Sequence, residues 1–195
     1  ERAQRVKTGH EVDHQQAEKT VVGHRAPAAD LAQEGGVQAL HHQRPVEQGD
    51  TPAWAPAPIA EVVDSIRREK PALVFAPHVE TASGIILPPD YLKAVADAVH
   101  EVGGLLVLDC VASGAIWVDM QASGVDVLIS APQKGWSSSP CAALIMLSEK
   151  AVEVMQARTS SSFACDLKKW HQIMQAYIKG GHAYHATMPT DSLTR

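Results

Sequence analysis

Two side chains with complementary chemistry, a carboxylate and an amine, follow runs of the sequence that read as buried strands. Asp109 ends the apolar run 105–108, and Lys134 follows the apolar run 125–129. An aspartate at a strand end is often only a turn or helix cap, but a lysine is rarely buried without a partner. Because Lys134 lies between an apolar run and Trp136, we expect partial desolvation, which would make its amine a nucleophile.

One cofactor chemistry requires both groups. Pyridoxal 5'-phosphate (PLP) is held as a Schiff base on a lysine, and a carboxylate pairs with its pyridinium nitrogen. The ion pair keeps that nitrogen protonated, so the ring accepts electrons when a bond at the substrate α-carbon breaks, and the released amine can carry the proton. Adjacent strand ends can bring Asp109 and Lys134 to opposite sides of one ring. The sequence therefore predicts a PLP site with Lys134 and Asp109 as its catalytic residues.

The strands that would position these residues alternate with amphipathic helices. Apolar runs at 72–76, 105–108, 125–129 and 142–147 predict strands. Continuous apolar strands between helices indicate an α/β fold with a mostly parallel sheet and helices on both faces. The fourth run follows the third too closely for a parallel crossover, so we predict that it is antiparallel.

Helix signals separate these runs. A first helix begins near Ile59 and stops before Pro71, and a second is predicted to be capped by Asp90 and closed by Gly103 and Gly104. The apolar stripes of these two helices comprise Ile59, Val62, Val63 and Ile66, then Leu92, Val95, Val99 and Val102. Two later helices are predicted, from the Ser148 cap to about residue 157 and over 166–178 before Gly180 and Gly181.

Polar residues follow three of the predicted strands. The clusters span 77–84, 109–114 and 130–134. In open α/β sheets, ligands bind beyond the carboxyl ends of the strands. All three clusters are therefore expected at one edge of the sheet, around the predicted cofactor.

The first part of the chain has a different composition. Residues 1–50 contain no Phe, Trp or Tyr, hold seven Gln and five His, and show no sustained period, so we expect poor order. The histidines are irregularly spaced and lack accompanying cysteines, so no metal site is predicted. Four prolines between residues 45 and 58 indicate an extended connector. We therefore divide the chain into a leader and linker, 1–58, and a partial cofactor-binding domain, 59–195.

Overall charge and cysteine content exclude several classes of protein. The formal net charge is −5 and no basic stripe is present, which argues against a nucleic-acid-binding protein. The apolar runs are too short to cross a membrane, and no secretory signal is recognisable. The three cysteines are sparse and form no CxxC motif, so we predict a reducing, cytoplasmic location.

Five segments resemble a known family. LLVLDCVAS (105–113), GVDVLISAPQK (124–134) and PCAALIMLSEKA (140–151) are similar to the class V aminotransferases of fold type I, in the branch of alanine–glyoxylate and serine–glyoxylate aminotransferases. HVETASGIILP (78–88) and YHATMP (184–189) resemble further motifs of that branch, in the family order. The resemblance covers about residues 59–195. It implies a PLP-dependent transfer of an amino group from a small amino acid, alanine or serine, to a 2-oxo acid such as glyoxylate.

The resemblance also implies residue roles. Lys134 matches the Schiff-base lysine and Asp109 the partner of the pyridine nitrogen. Val111 matches a residue packed on one ring face, Thr81 a hydroxyl near the phenolic oxygen, and Gln133 a phosphate contact.

Two further matches involve a second subunit. Tyr184 and Thr187 match residues that reach the phosphate of the neighbouring subunit, so the resemblance implies a homodimer. His78 and Glu80 in the first loop, and His182 and His185 near Tyr184, could simply hold the shape of their segments.

Some family features are not recognisable in the sequence. They are a Gly-rich phosphate loop, an aromatic residue on the other ring face and an arginine that binds the substrate carboxylate. Family members are much longer, so we expect a fragment, with a frameshifted or misassembled gene as one source of the leader. Two alternative functions stay open: a PLP lyase or desulfurase of the same fold, and a catalytically inactive fragment that acts by dimerising.

Overall fold

A five-stranded sheet organises the part of the chain that the computed structural model describes, namely residues 37–39, 43–46 and 53–185. Its strands lie in the order β1-β4-β7-β8-β9. They are β1 (Val37–Ala39), β4 (Leu73–Pro77), β7 (Leu105–Asp109), β8 (Val127–Ser130) and β9 (Leu144–Leu147). The first three pairs are parallel and the β8–β9 pair is antiparallel. The predicted mostly parallel α/β sheet, with an antiparallel fourth run, is confirmed.

Helices and two short ribbons complete the described fold. The helices are α1 (Ile59–Glu69), α2 (Pro89–Glu101), α3 (Met120–Ser123), α4 (Glu149–Gln156) and α5 (Leu167–Ile178). The ribbons are antiparallel pairs of β2 (Gln43–Val46) with β3 (Ala53–Pro56), and of β5 (Val79–Glu80) with β6 (Ile85–Ile86).

The core lies where α1 and α2 pack on the sheet. Val74, Leu106 and Leu108 come from the strands, and these side chains are completely buried together with Ile66 of α1 and Val99 of α2. Strand residues alternate between the two faces of a sheet, so these three share one face. Both helices present the apolar stripes predicted from their 3.6-residue period.

The start of α2 differs from the prediction. The helix begins at Pro89, and Asp90 lies in its first turn rather than at its N-cap, which is Pro88. A proline at the first helical position has its φ already near the helical value and lacks an N–H that would be unpaired there, so the helix starts before Asp90. The negative carboxylate of Asp90, in the first turn, still interacts favourably with the positive end of the helix dipole.

The other predicted helix boundaries are confirmed. Ser148 Oγ accepts a hydrogen bond from Ala151 N at the start of α4, and Asp166 caps α5 through the backbone amides of Lys168 and Lys169. After α2, Gly103 adopts a left-handed φ of 83°, which glycine permits without steric cost.

The N-terminal side of the predicted division contributes to the same sheet. Strand β1 pairs in parallel with β4, so Val37–Ala39 extends a sheet that we expected to begin after residue 59. The proline-containing connector is extended as predicted, but its β2 and β3 segments pair with each other rather than forming a free linker. Residues 1–36 lie outside the described part, and the division at residue 58 stays a prediction.

One buried carboxylate ties the end of α2 to the sheet. Asp126 is 3% exposed, and its Oδ2 accepts hydrogen bonds from Leu106 N at 2.9 Å and from His100 Nε2 at 2.8 Å. Its Oδ1 accepts from Ser148 Oγ at 3.1 Å. Asp126 therefore fixes the amino-terminal edge of the sheet, opposite to the predicted site.

Candidate active site

Asp109 lies at the carboxyl edge of the sheet, as the sequence predicts. It is the last residue of β7, between Pro77 of β4 and Ile129 of β8. Its Oδ1 accepts a hydrogen bond from Val111 N at 2.9 Å, and the side chain is exposed. The carboxylate is thus held by the backbone two residues ahead while remaining accessible to a ligand.

Lys134 lies in a turn that follows β8, and it is exposed. The turn is closed by hydrogen bonds from Ser138 N to Pro132 O at 2.9 Å and from Ser137 N to Lys134 O at 3.1 Å. The partial desolvation expected for this lysine is wrong. Residues 133–140 are all exposed, and the neighbouring Trp136 donates from Nε1 to Ser130 Oγ at 3.2 Å, which directs its indole N–H to the end of β8.

The turn of Lys134 touches the loop that follows Asp109. A Cβ atom placed on Gly135 would lie 2.2 Å from the carbonyl carbon of Gly114 and 2.3 Å from its oxygen. No side chain fits at that distance, so only glycine permits the two backbones to approach this closely. This contact fixes the spacing between the Lys134 turn and the loop carrying Val111.

Thr81 lies in a third loop, between β5 and β6. Glu80 shapes this loop, because its Oε1 accepts from Ala82 N at 3.0 Å and its backbone oxygen accepts from Gly84 N at 2.9 Å. Thr81 itself is exposed, whereas Ser83 Oγ is buried without a hydrogen-bond partner within the described residues. The loop therefore carries an exposed residue with a hydroxyl group, Thr81, and a buried hydroxyl, that of Ser83, with no partner within the described residues.

The remaining predicted site residues are Val111, Gln133, Tyr184 and Thr187. Val111 is half-buried in the loop after Asp109, and Gln133 is exposed beside Lys134. Tyr184 is 89% exposed, away from the core, and Thr187 lies outside the described residues. The structure thus gathers Asp109, Val111 and the loops of Thr81 and Lys134, while Tyr184 projects outward.

An aromatic cluster holds the segment that carries Tyr184. His185 Nε2 lies 2.7 Å from Phe163 O, and its ring stacks at a tilt on Phe163 with centroids 4.5 Å apart. Trp170 of α5 meets the same imidazole edge to face at 5.9 Å. His185 therefore has the shape-holding role that the sequence left open.

A cavity of about 250 Å³ lies next to the Lys134 turn. Trp117 and Trp136, whose rings meet edge to face at 5.3 Å, line it together with Cys110, Ser113 and Met146. Neither Asp109 nor Lys134 is among its lining residues. The cavity adjoins the candidate site without containing its charged groups.

Sequence reasoning assigned no site role to a buried histidine–serine pair. His78 and Ser113 are each 4% exposed, and His78 Nδ1 lies 2.7 Å from Ser113 Oγ. Burial lowers the pKa of the His78 imidazole below its ordinary value of 6.5. The sequence carries no signal for this pair, because its members are 35 residues apart.

Cys110 completes this buried group. Burial raises the pKa of its thiol above the ordinary value, a side-chain hydrogen bond with Ser113 opposes that shift, and the negative charge of Asp109 adds to it. The thiol is therefore kept protonated at neutral pH.

The described residues form neither a metal site nor a membrane-spanning helix. Within the described ranges, no group of three or more His, Cys, Asp or Glu side chains is arranged to hold a metal ion. In the same part of the chain, no helix is both long enough and apolar enough to cross a bilayer.

Comparison with known proteins gives a consistent family. The sequence model described as aminotransferase class-V matches residues 2–184, so the match also includes residues 2–58, which precede the segments whose resemblance to the family is described above. The chain is 33% identical over 140 residues to the alanine–glyoxylate aminotransferase of Felis catus, covering 69% of this chain and 32% of that protein. It is 35% identical over 145 residues to the 2-aminoethylphosphonate–pyruvate transaminase of Burkholderia mallei, covering 74% and 36%.

A solved structure shares the fold. The alanine–glyoxylate aminotransferase from Nostoc sp. superposes with a TM-score of 0.60 at 29% identity, over 68% of this chain and 34% of that one. The chain thus spans about a third of the length of the relatives it matches.

Proposed function

Because the chain belongs to the class V aminotransferase family, we propose that it forms part of a PLP-dependent aminotransferase in which Lys134 bonds the cofactor. The observation that carries the proposal is the placement of an exposed carboxylate and an exposed amine after neighbouring parallel strands. Asp109 ends β7, and Lys134 follows the adjacent parallel strand β8.

The chemistry of the donor groups fits PLP. A primary amine suits the aldehyde, a carboxylate suits the pyridinium nitrogen, and hydroxyl groups suit the phenolic oxygen and phosphate. The proposal is supported by the exposed Thr81 and by the neighbouring Ser83 Oγ, which is buried and has no hydrogen-bond partner within the described residues. Val111 would pack on one face of the ring, and Gln133 would contact the phosphate.

When bound, PLP supplies an electron sink for bond breaking at the α-carbon of an amino acid. Asp109 would hold a proton on the ring nitrogen through its negative charge, and the Val111 amide keeps that carboxylate oriented. Lys134 would then move a proton to and from the substrate α-carbon with its amine. Its exposed position leaves the amine free to reach the substrate, once the rest of the site excludes water.

We propose a small amino acid, alanine or serine, as the amino donor and a 2-oxo acid such as glyoxylate as the acceptor. Two of the relatives described above are named for alanine and glyoxylate, and a third for pyruvate, which is also a 2-oxo acid. A substrate screen with each donor and acceptor would decide among them.

We also propose that the site is completed in a homodimer by Tyr184 and Thr187 of a second copy. The exposure of Tyr184 supports this, because a side chain that projects from its own fold can reach a neighbour. Sedimentation velocity would distinguish a monomer from a dimer.

A cytoplasmic location and a cofactor-binding domain over 59–195 are parts of the same proposal. Cys110, Cys141 and Cys165 are all free thiols, as expected in a reducing compartment.

The test is covalent capture of the cofactor. The chain is incubated with PLP, reduced with borohydride, digested and mapped by mass spectrometry. We expect the pyridoxyl group on Lys134. Replacement of this residue, Lys134→Arg, should abolish the label, whereas Lys169→Arg on the exposed part of α5 should leave it unchanged. Labelling at Lys150, Lys168 or Lys169 in its place would refute the assignment.

A further inference from the structure

His78 connects the Thr81 loop to the Asp109 loop through both its backbone and its side chain. It follows β4 directly, its N–H donates to Asp109 O at 2.9 Å, and its carbonyl accepts from Leu87 N at 2.9 Å. The imidazole Nδ1 lies 2.7 Å from Ser113 Oγ. One residue therefore contacts the end of β7, the loop beyond it and the far side of its own loop.

Ser113 extends this connection toward the Lys134 turn. Its N–H donates to Cys110 O at 3.2 Å, which closes the loop that carries Val111. The next residue, Gly114, is the one that Gly135 approaches too closely for any side chain. The His78–Ser113 bond thus joins two loops that are in turn fixed to the third.

The pair is almost completely buried, and only Ser113 reaches the wall of the cavity described above. Both residues are 4% exposed, and the Ser113 hydroxyl is already shared between His78 and Cys110. A buried hydrogen bond in a low-dielectric interior holds its partners firmly, since breaking it leaves both unsatisfied. The pair is therefore suited to fixing loops rather than to chemistry.

The geometry points to His78 as a positioning residue that, through Ser113, sets the spacing between the Thr81 loop and the Asp109–Val111 loop around the bound cofactor. This role rests on the function proposed above. The hydroxyl of Thr81 and the carboxylate of Asp109 belong to different loops, yet both must meet one rigid ring. Misplacement of such groups by about 1 Å weakens both binding and catalysis.

Two substitutions of His78 distinguish the effect of its hydrogen bond to Ser113 from the effect of side-chain volume. In His78→Asn the side-chain amide nitrogen occupies about the position of Nδ1, so the bond to Ser113 can persist. In His78→Gln the amide reaches the position of Nε2, so the bond is lost. Ser113→Ala removes the partner with little change in volume. Ser123→Ala, which deletes another buried hydroxyl in α3, is the matched control.

Two readouts are measured on the full chain. Amide hydrogen exchange without cofactor reports loop coupling, and titration with PLP followed by visible circular dichroism reports affinity and ring orientation. For His78→Gln and Ser113→Ala we expect exchange in 79–87 and 110–114 to accelerate about tenfold, and PLP affinity to fall about tenfold, as loss of one buried hydrogen bond predicts. The dichroism per bound cofactor should fall as well. His78→Asn and Ser123→Ala should stay near wild type.

Other outcomes would overturn the role. Unchanged exchange in both loops of Ser113→Ala, or equal acceleration throughout α2 and β7, would mean that the bond fixes nothing at the site. Unchanged dichroism per bound cofactor in His78→Gln would mean that it does not orient the ring. A wild-type chain that captures no PLP would refute the proposed function and the role toward the cofactor, while the exchange result would still decide whether the loops are coupled.

Discussion

At the scale of single residues, two neighbours at the end of β7 have opposite surroundings. Asp109 is exposed, whereas the Cys110 thiol is 6% exposed and hydrogen-bonded to Ser113. Successive residues of an extended chain point in opposite directions, so one position faces the candidate site and the next faces the interior. The burial of Cys110 and the exposed charge of Asp109 each lead to a testable prediction.

The surroundings of Cys110 predict slow modification. Its raised pKa leaves little thiolate at neutral pH, and the thiolate is the reactive form. With iodoacetamide we expect the exposed Cys165 to react first and Cys110 at least about tenfold more slowly. The measurement is time-resolved peptide mapping, with the urea-unfolded chain as the control in which all three cysteines should react alike. Equal rates in the folded chain would contradict the burial of Cys110.

Removing the charge of Asp109 should slow the reaction at the substrate α-carbon without preventing the covalent attachment of PLP to Lys134. In Asp109→Asn the proton on the ring nitrogen loses its anionic partner, so exchange of the α-hydrogen of alanine with deuterated water should fall by about 10²-fold or more. The exchange is followed by NMR, and borohydride labelling of Lys134 should persist. Asp97→Asn, on the exposed face of α2, is the matched control. Near-normal exchange in Asp109→Asn would mean that the carboxylate only orders its loop.

At the scale of elements, three loops at the carboxyl edge of the sheet are fastened to one another by short-range contacts. The Thr81 loop is joined to the Asp109 loop through His78, and the Asp109 loop to the Lys134 turn through Gly114 and Gly135. The turn also contains Ser137 at a φ of 54°, a left-handed conformation that costs a non-glycine residue about 1–2 kcal/mol. Packing of the turn against its neighbour must offset that strain.

The close approach of Gly135 to Gly114 predicts that a side chain at residue 135 would displace the Lys134 turn. In Gly135→Ala the added methyl would meet the Gly114 backbone at 2.2 Å, so the Lys134 turn must move. Overpacking of this kind costs about 1–3 kcal/mol of unfolding free energy, and we expect pyridoxyl labelling of Lys134 to fall about tenfold. Urea unfolding and peptide mapping measure the two effects.

The matched control for that change is Gly181→Ala. A methyl group there would lie 3.4 Å from Ala176 O, close to ordinary contact, so stability and labelling should be retained. If Gly135→Ala behaved like this control, the close approach of the two loops would be wrong.

At the scale of the whole molecule, large apolar side chains are exposed near the candidate site. Trp117 is 81% exposed, and Ile116 and Trp136 are also exposed. The rings of Trp117 and Trp136 are in contact, and contiguous exposed apolar side chains commonly mark contact with another protein surface. The chain spans about a third of the length of the relatives it matches.

The isolated chain is therefore predicted to be a poor aminotransferase. Without further groups to align the substrate with the ring, we expect turnover of alanine plus glyoxylate at least about 10²-fold below a full-length relative. Steady-state assays of the 195-residue chain beside the Nostoc sp. enzyme measure this directly. Comparable rates would show that the chain supplies every alignment the reaction needs.

The sequence by itself determined four strands of the main sheet (β4, β7, β8 and β9), the helices α1, α2, α4 and α5, and the edge at which Asp109 and Lys134 lie. Those features depend on local signals: apolar runs, the 3.6-residue stripe of α2, the caps at Ser148 and Asp166, and the carboxyl-edge rule for parallel sheets. The start of α2 was missed by two residues, because a proline at the first helical position outweighed the capping preference of Asp90.

Only the tertiary structure decided the exposure of Lys134, the His78–Ser113 bond and the approach of Gly135 to Gly114. A side chain's burial depends on what packs over it, and the neighbouring Trp136 directs its indole N–H to Ser130 at the end of β8. The bond and the glycine contact join residues 35 and 21 positions apart, beyond the reach of any local pattern. Their formation follows from the parallel register of β4, β7 and β8, which brings the three loops to the same edge.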